Sequence, residues 1–536
     1  TEIAFGIRYR RKVTDGQGEF GYSNSVQVFI VNPTTTPNVE SGSNKGRDFW
    51  LTFTPTAAAY YALKIGADTT ATVNFAFTDN SSLNTSITVT GGTLQTVTWN
   101  SGSAEMVATT APAGVSSKTV HITSNKDIIV YAINRQLATT DATSVFPVPS
   151  WGSEYYHLGY GSSDFSLIVA SQNNTHIYNS GSLVATLNAG QVYYFYSCPM
   201  GWHAVSDKPV AYYSSNNCTN VPSGAGYCDR LFEQLFSVDR WGTTFLVPQT
   251  VQTVTRIRIM CAHSGTNISQ TGATLKTEGS STLTGLGAGQ WVELECVDPS
   301  GCSISSNYPV MVCVYMVGDL YSLNATNGDP AMGWVPPIEQ KLSSITVARF
   351  APIGTGANPD THYALVVTQT SGKALTTVSQ AGGPSSLLGG TWYDNAATGL
   401  SFCSYQLATD DYYTFTNPNG MVIGGYGIGD AESYYYLAGA SSRVLTASLM
   451  VNGEYADQIA GNTYGECNLM TFECVSTDTP TSIVWRINGV EQIGHANQAS
   501  WSANLTVNDY IIEMEAVIGD HTFTHITWFR VRCCEE

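Results

Sequence analysis

The chain is poor in charge. Of its 536 residues only 12% are Asp, Glu, Lys or Arg, about half the usual share. Basic residues are the scarcest: 23 Lys and Arg stand against 41 Asp and Glu, a formal charge of −18. Such a surface repels phosphate backbones, which excludes nucleic acid as a partner. Apolar runs of about 18 residues, long enough to span a membrane, are missing. The sequence starts at Thr1 with neither initiator Met nor signal peptide, as a processed product or fragment would. Catalytic signatures are missing too: there is no G-x-S-x-G elbow, H-E-x-x-H helix, paired Asp-Thr-Gly, Walker loop or EF-hand loop. No CxxC…CxxC spacing offers a zinc site. We therefore expect no cofactor, no metal and no enzyme.

What is present points to an all-β protein. Hydrophobic residues make up 43% and aromatics 11%, with 30 tyrosines. Thr, Ser, Gly, Asn and Val fill the remainder, the palette of strands joined by many turns. The length is too great for one core, so several domains are expected. Twelve cysteines in so uncharged a chain point to an oxidising, extracellular or cell-surface setting. Three local pairs suggest disulfides: Cys218 with Cys228, Cys296 with Cys302, and Cys467 with Cys474.

Residues 1–33 read as two strands and a turn, "EIAFGIRYRRKV", "DGQGE" and "SNSVQVFIV", like the last hairpin of a fibronectin-III-like or Ig-like domain. A linker follows over 34–46. From there to about residue 440 a pattern recurs: "SNKDIIVYAI" (124–133), "SDKPVAYYSS" (206–215), "SNYPVMVCVY" (306–315) and, more weakly, "NPNGMVIGGYGIG" (417–429). Each places a short polar turn before a β-rich strand. "LNAGQVYYF" (187–195) and "LGAGQWVEL" (286–294) recur upstream of two of them. "SWGSEY" (150–155) and "RWGTTF" (240–245) open successive units. The period suits a small β-module rather than a solenoid repeat. Four tandem β-units are expected, over 47–149, 150–239, 240–340 and 341–440. The tail, 443–536, reads as an Ig- or PKD-like sandwich, with an inward Trp485 and an Asn488-Gly489 hairpin turn.

"GRDFWLTF" (46–53), "AGQVYYF" (189–195), "SDKPVAYY", "CTNVPSGAGYCDRLFEQL" and "RWGTTFLVP" (240–248) follow in an order that resembles the N-terminal domain of IgG-Fc-binding proteins. The resemblance covers roughly residues 46–440 and is densest over 189–248. It implies the bacterial surface-protein branch, where the domain sits beside FN3-, Ig- and PKD-like modules. "SCPMGWHAV" (197–205) departs from the family pattern, and Asp329-Pro330 lacks the Gly-Asp-Pro-His context of self-cleaving members. No Fc-contact residue is carried over.

Within this frame, aromatics near turns are the candidate ligand contacts: Trp202, Trp392, Tyr393, Tyr434 and Tyr435, able to stack on sugars or anchor a protein if exposed. Core packing is the bland alternative for each. Glu233, Asp229 and Asp239 cluster in sequence and are the residues a glycosidase would use. Asp410-Asp411 could serve Ca²⁺, though a solvated turn accounts for them better. His521 and His525 flank Phe523 on an extended segment, about 13 Å apart and too far to share a metal. The expected function is an adhesin or stalk segment that recognises glycan or mucin-like glycoprotein through many modules. The alternative is a filament or fibre subunit, with other surface-protein chains as partners, assembled by strand addition. The 218–228 loop reads as a stapled connection leading into the amphipathic "DRLFEQL".

Overall fold

The computed structural model describes residues 5–9, 12–14, 20–22, 26–30, 44–54, 60–100, 113–136, 139–252, 254–318, 321, 328–350, 359–430, 432–442, 447–452, 454–455, 459, 461–465, 469–476, 480–518 and 521–532. Residues 1–41 form one compact unit and residues 42–536 another. In the first, Phe5–Tyr9 pairs antiparallel with Val26–Ile30, and Lys12–Thr14 with Phe20–Tyr22.

The second unit is all-β among its described regular elements, apart from short 3-10 turns. From Gly46 to Gly439 four modules follow one plan. Each is built round one long strand: Val120–Gln136, His203–Thr219, Cys302–Met316 and Tyr412–Gly429. The recurring Ser-Asn, Ser-Asp or Asn-Pro motif lies in the middle of that strand, not before it, which corrects the turn-then-strand expectation. The physical reason is local. Ser206 Oγ donates to the Lys208 carbonyl at 2.7 Å and Ser306 Oγ to the Tyr308 carbonyl at 2.7 Å, while Asn419 N–H donates to Asn417 Oδ1 at 2.8 Å. A short polar side chain that bonds the backbone two residues on bends the chain without ending the strand. In all four modules the ladder register slips at or beside the bend.

The bend lets one strand serve two ladders. Its first half pairs with the opening strand of the module: Gly46–Leu51, Gly152–Tyr156, Gly242–Val247 or Leu342–Ala348. Its second half pairs with a closing strand: Thr139–Val145, Asp229–Leu235, Ala331–Val335 or Glu432–Gly439. "DRLFEQL" is this closing strand in the second module. Every residue of it is buried, so the amphipathic expectation fails: the strand is covered on both faces.

The four closing strands touch in cyclic order, first with second, second with third, third with fourth and fourth with first. The modules therefore close a ring with the closing strands at its centre. Adjacent modules are also socketed together. Trp50 stacks on His121 at 3.9 Å and packs over Gly190, in the Ala-Gly-Gln turn of the second module. Tyr156 stacks on His203 at 4.3 Å and lies over Gly289, in the same turn of the third. Gly190 and Gly289 both have φ of +77 to +79°, and a Cβ on Gly190 would fall 2.8 Å from the Trp50 ring. The repeated Ala-Gly-Gln is thus a joint, flat enough to receive an aromatic ring from the preceding module.

The tail is a sandwich of a four-stranded and a five-stranded sheet, counted among the described residues. Phe472, Trp485, Met514 and Phe529 fill its core. Asn488 (φ 50°) and Gly489 (φ 77°) form the two-residue turn between Ile487 and Val490, the geometry that favours Asn-Gly.

Candidate functional site

Four strands meet at the ring centre edge to edge, and their free N–H groups cannot all be met by a neighbouring ladder. Buried backbone donors need partners, and acidic side chains supply them. Asp141, on the first closing strand, accepts N–H groups from all three others: Phe232 at 3.0 Å, Met332 at 3.0 Å and Tyr435 at 3.1 Å, besides its neighbour Ala142 at 2.9 Å. Glu233 accepts from Trp334 N–H at 3.4 Å, and Asp229 from Thr140 N–H at 2.8 Å. Thr143 Oγ1 receives Gln234 N–H at 2.8 Å. Burial pushes the Asp141 carboxyl above its usual range, opposed by its four N–H donors. Burial also raises Glu233, with the Asp141 charge adding to it. Burial lifts Asp229, reinforced by Glu432 and Asp329, and pushes Glu432 up to about 7.

These positions bear on the three acidic residues a glycosidase would use. Asp229 and Glu233 are fully buried and engaged by backbone, so they face no substrate. Asp239 accepts from Ser237 and lies beside Arg240 at the end of the second module. Asp410 pairs with Lys64, and Asp411 accepts from Gln380 and Thr409. Among the described residues no group of three or more His, Cys, Asp or Glu is placed to hold a metal ion. No described helix is long and apolar enough to cross a membrane.

Cys218 and Cys228 are joined by a disulfide, with Cα atoms 5.1 Å apart. Their loop is also docked: Gly318 N–H donates to the Val221 carbonyl at 3.0 Å, tying it to the third module. Cys296 and Cys302 are not bridged. Both are buried free thiols, the first on an inner strand facing Thr255 and Ala273, the second opposite Val247. Cys474 is a buried free thiol as well; Cys467 lies outside the described residues.

Three of the five candidate aromatics are core residues. Tyr434 and Tyr435 belong to the fourth closing strand at the ring centre, where both faces are covered. Trp202 packs against Phe195 inside the second module. Only Trp392 and Tyr393 reach the surface. They sit on Trp392–Asn395, an edge strand of the fourth module. Trp392 is half-buried; Tyr393 is 37% exposed and stacked on Phe402 at 5.0 Å. Lys373 Nζ grips both Asp394 carboxylate oxygens, at 2.5 and 2.7 Å. Leu388 N–H bonds the Thr376 carbonyl at 2.8 Å. These bonds tie the 373–376 turn to the segments at 388 and 394; Leu375 and Leu387, next to the bonded residues, are exposed. Sequence reasoning missed both leucines, because an apolar residue in a β-rich segment reads as core until the tertiary structure shows which face is covered.

The IgGFc-binding protein family model matches residues 41–199 and 141–427, well over half of the chain. No curated protein matches. Among solved structures, the N-terminal four Ig domains of Dscam1 isoform 8.4 are 8% identical, with 91% of this chain and 100% of that one covered and a TM-score of 0.14. The same four domains of isoform 9.44 are 7% identical over the same shares, with a TM-score of 0.13. The N-terminal eight Ig domains of DSCAM isoform 1.30.30 are 11% identical over 96% and 73%, with a TM-score of 0.12. Scores so low support no argument about this chain.

Proposed function

This chain belongs to the IgGFc-binding protein family, and from that premise we propose that it is an extracellular or cell-surface binding protein. Its ligand is a glycan or a mucin-like glycoprotein, held weakly by each contact and strengthened by repetition along the array. The observation that carries this reading is the edge strand of the fourth module, where Tyr393 is exposed, while Asp229 and Glu233 are sealed in the ring centre. An exposed aromatic ring on an edge strand suits stacking on a sugar face. The domain boundaries at 47–149, 150–239, 240–340, 341–440 and 443–536 belong to the same proposal, each module acting as one rigid mount. IgG is not carried over as a ligand.

A glycan array and a mucin pull-down with the whole chain test it. Binding that falls at least tenfold in Tyr393→Ala, with an unchanged melting temperature, is expected. A chain that captures nothing in either assay overturns it.

The two-stranded pairing of Phe5–Tyr9 with Val26–Ile30 favours a second reading, a fibre subunit that completes this sheet with a neighbouring chain. Light scattering at high concentration checks it; a strict monomer rejects it.

A further inference from the structure

The ring closes where the first module meets the fourth, and at that seam lies Lys64. It stands on strand Tyr60–Ala67. Its side chain is 2% exposed, and its Nζ bonds Oδ1 of Asp410, which the fourth module supplies from just before its long strand. Asp410 is 39% exposed on its other side. Two further basic groups stand beside the pair. Arg349 reaches the Ala408 carbonyl through Nη1 at 3.1 Å. His362 is buried, with Nδ1 2.8 Å from the Tyr434 hydroxyl. A cation in this place is costly. Burial pushes the Lys64 amine down, and Arg349 adds to that, while Asp410 opposes it. Burial, with Arg349 and Lys64 nearby, takes His362 down to about 4. A buried amine thus stands in direct contact with a carboxyl group, with a second cation nearby.

We propose that Lys64 and Asp410 are joined by an isopeptide bond that forms within the folded chain and clamps the first module to the fourth. The step balances without a co-reactant. One ammonium proton passes to the carboxylate. The neutral Nζ attacks Cγ, the N–C bond forms, and the C–O bond breaks. The hydroxyl leaves with a second amine proton as water, through the exposed side of Asp410. The Arg349 guanidinium has the sign needed to hold the negative charge that develops on the carboxyl oxygen. Condensation is unfavourable in open water, but fixed neighbours react with effective concentrations of roughly 10⁵ M or more. The bond would make the closed ring resistant to pulling, since opening it at this seam would require covalent cleavage.

Intact mass spectrometry of the reduced full chain tests the bond. The expected mass is one water below that of the sequence. A tryptic digest should give a branched peptide joining the Lys64 and Asp410 segments, with no cleavage after Lys64. Lys64→Arg and Asp410→Ala should each restore the full sequence mass. If those variants fail to fold, the digest of the unaltered chain decides alone. A full-mass chain with a linear Lys64 peptide overturns the proposal, as does a water loss that maps to another site.

Discussion

The carboxyl group of Asp141 accepts the backbone N–H of Tyr435 at 3.1 Å, across 294 residues of chain. With Phe232 and Met332 it holds one N–H from each of the other closing strands. Asp141→Ala leaves those donors buried without partners, at about 1–3 kcal/mol each. We expect a loss of about 3 kcal/mol or more in denaturant unfolding. Asp141→Asn, which keeps one acceptor oxygen, should lose less. Equal losses in the two variants would mean that these bonds do not hold the ring.

The pH dependence follows from Glu432. Its folded value is raised to about 7 from an unfolded value of 4.5, so the folded chain keeps a proton that the unfolded chain releases. The contribution is full below pH 4.5 and is lost as pH rises towards 7, on the order of 3 kcal/mol in all. Melting temperatures measured from pH 4.5 to 8 should fall across that window, and Glu432→Gln should flatten the fall. A curve that Glu432→Gln leaves unaltered would contradict the assignment.

Two glycines with the same φ test the joint between the first and second modules. Gly181 and Gly190 both have φ of +79°, but a Cβ on Gly181 meets nothing within 4 Å, whereas one on Gly190 meets Trp50 and Thr78. Gly181→Ala should lose only the left-handed backbone cost, about 1–2 kcal/mol. Gly190→Ala should lose that and about 1–3 kcal/mol more from overpacking. Chemical denaturation of the pair measures the difference.

Thiol chemistry separates the bridged from the free cysteines. Replacing both Cys218 and Cys228 by Ser should lower stability by about 2–3 kcal/mol, the entropy of a loop of about ten residues. Cys296 and Cys302 should stay unreactive in the native chain, since both are buried and burial pushes the Cys296 thiol up to about 11. In denaturant without reductant both should titrate as thiols, and failure to do so would reveal a bridge between them.

Much of the architecture was legible in the repeats. The Ser-Asn and Ser-Asp motifs mark the long strands, although their place at a mid-strand bend was not visible, because the same side-chain-to-backbone bond can end a strand or kink it. The Ala-Gly-Gln copies were visible as copies. Their role was not, since it needs Trp50 and Tyr156 from other modules. The aromatic candidates divide the same way: Trp392-Tyr393 and Tyr434-Tyr435 look alike in sequence, and only position in the sheet, edge or ring centre, separates them. Lys64 and Asp410 lie 346 residues apart, and nothing local to either announces the other.

The sequence by itself determined the all-β character, the recurrent modules, the Asn488-Gly489 turn and the family. These rest on composition, period and local backbone preference, which act over a few residues. Tertiary structure alone decided which carboxylates are sealed in the centre, which cysteines pair, which aromatics reach solvent, and where the first module meets the fourth. Each of those depends on burial and on partners distant in the chain, and burial is a property of the closed ring.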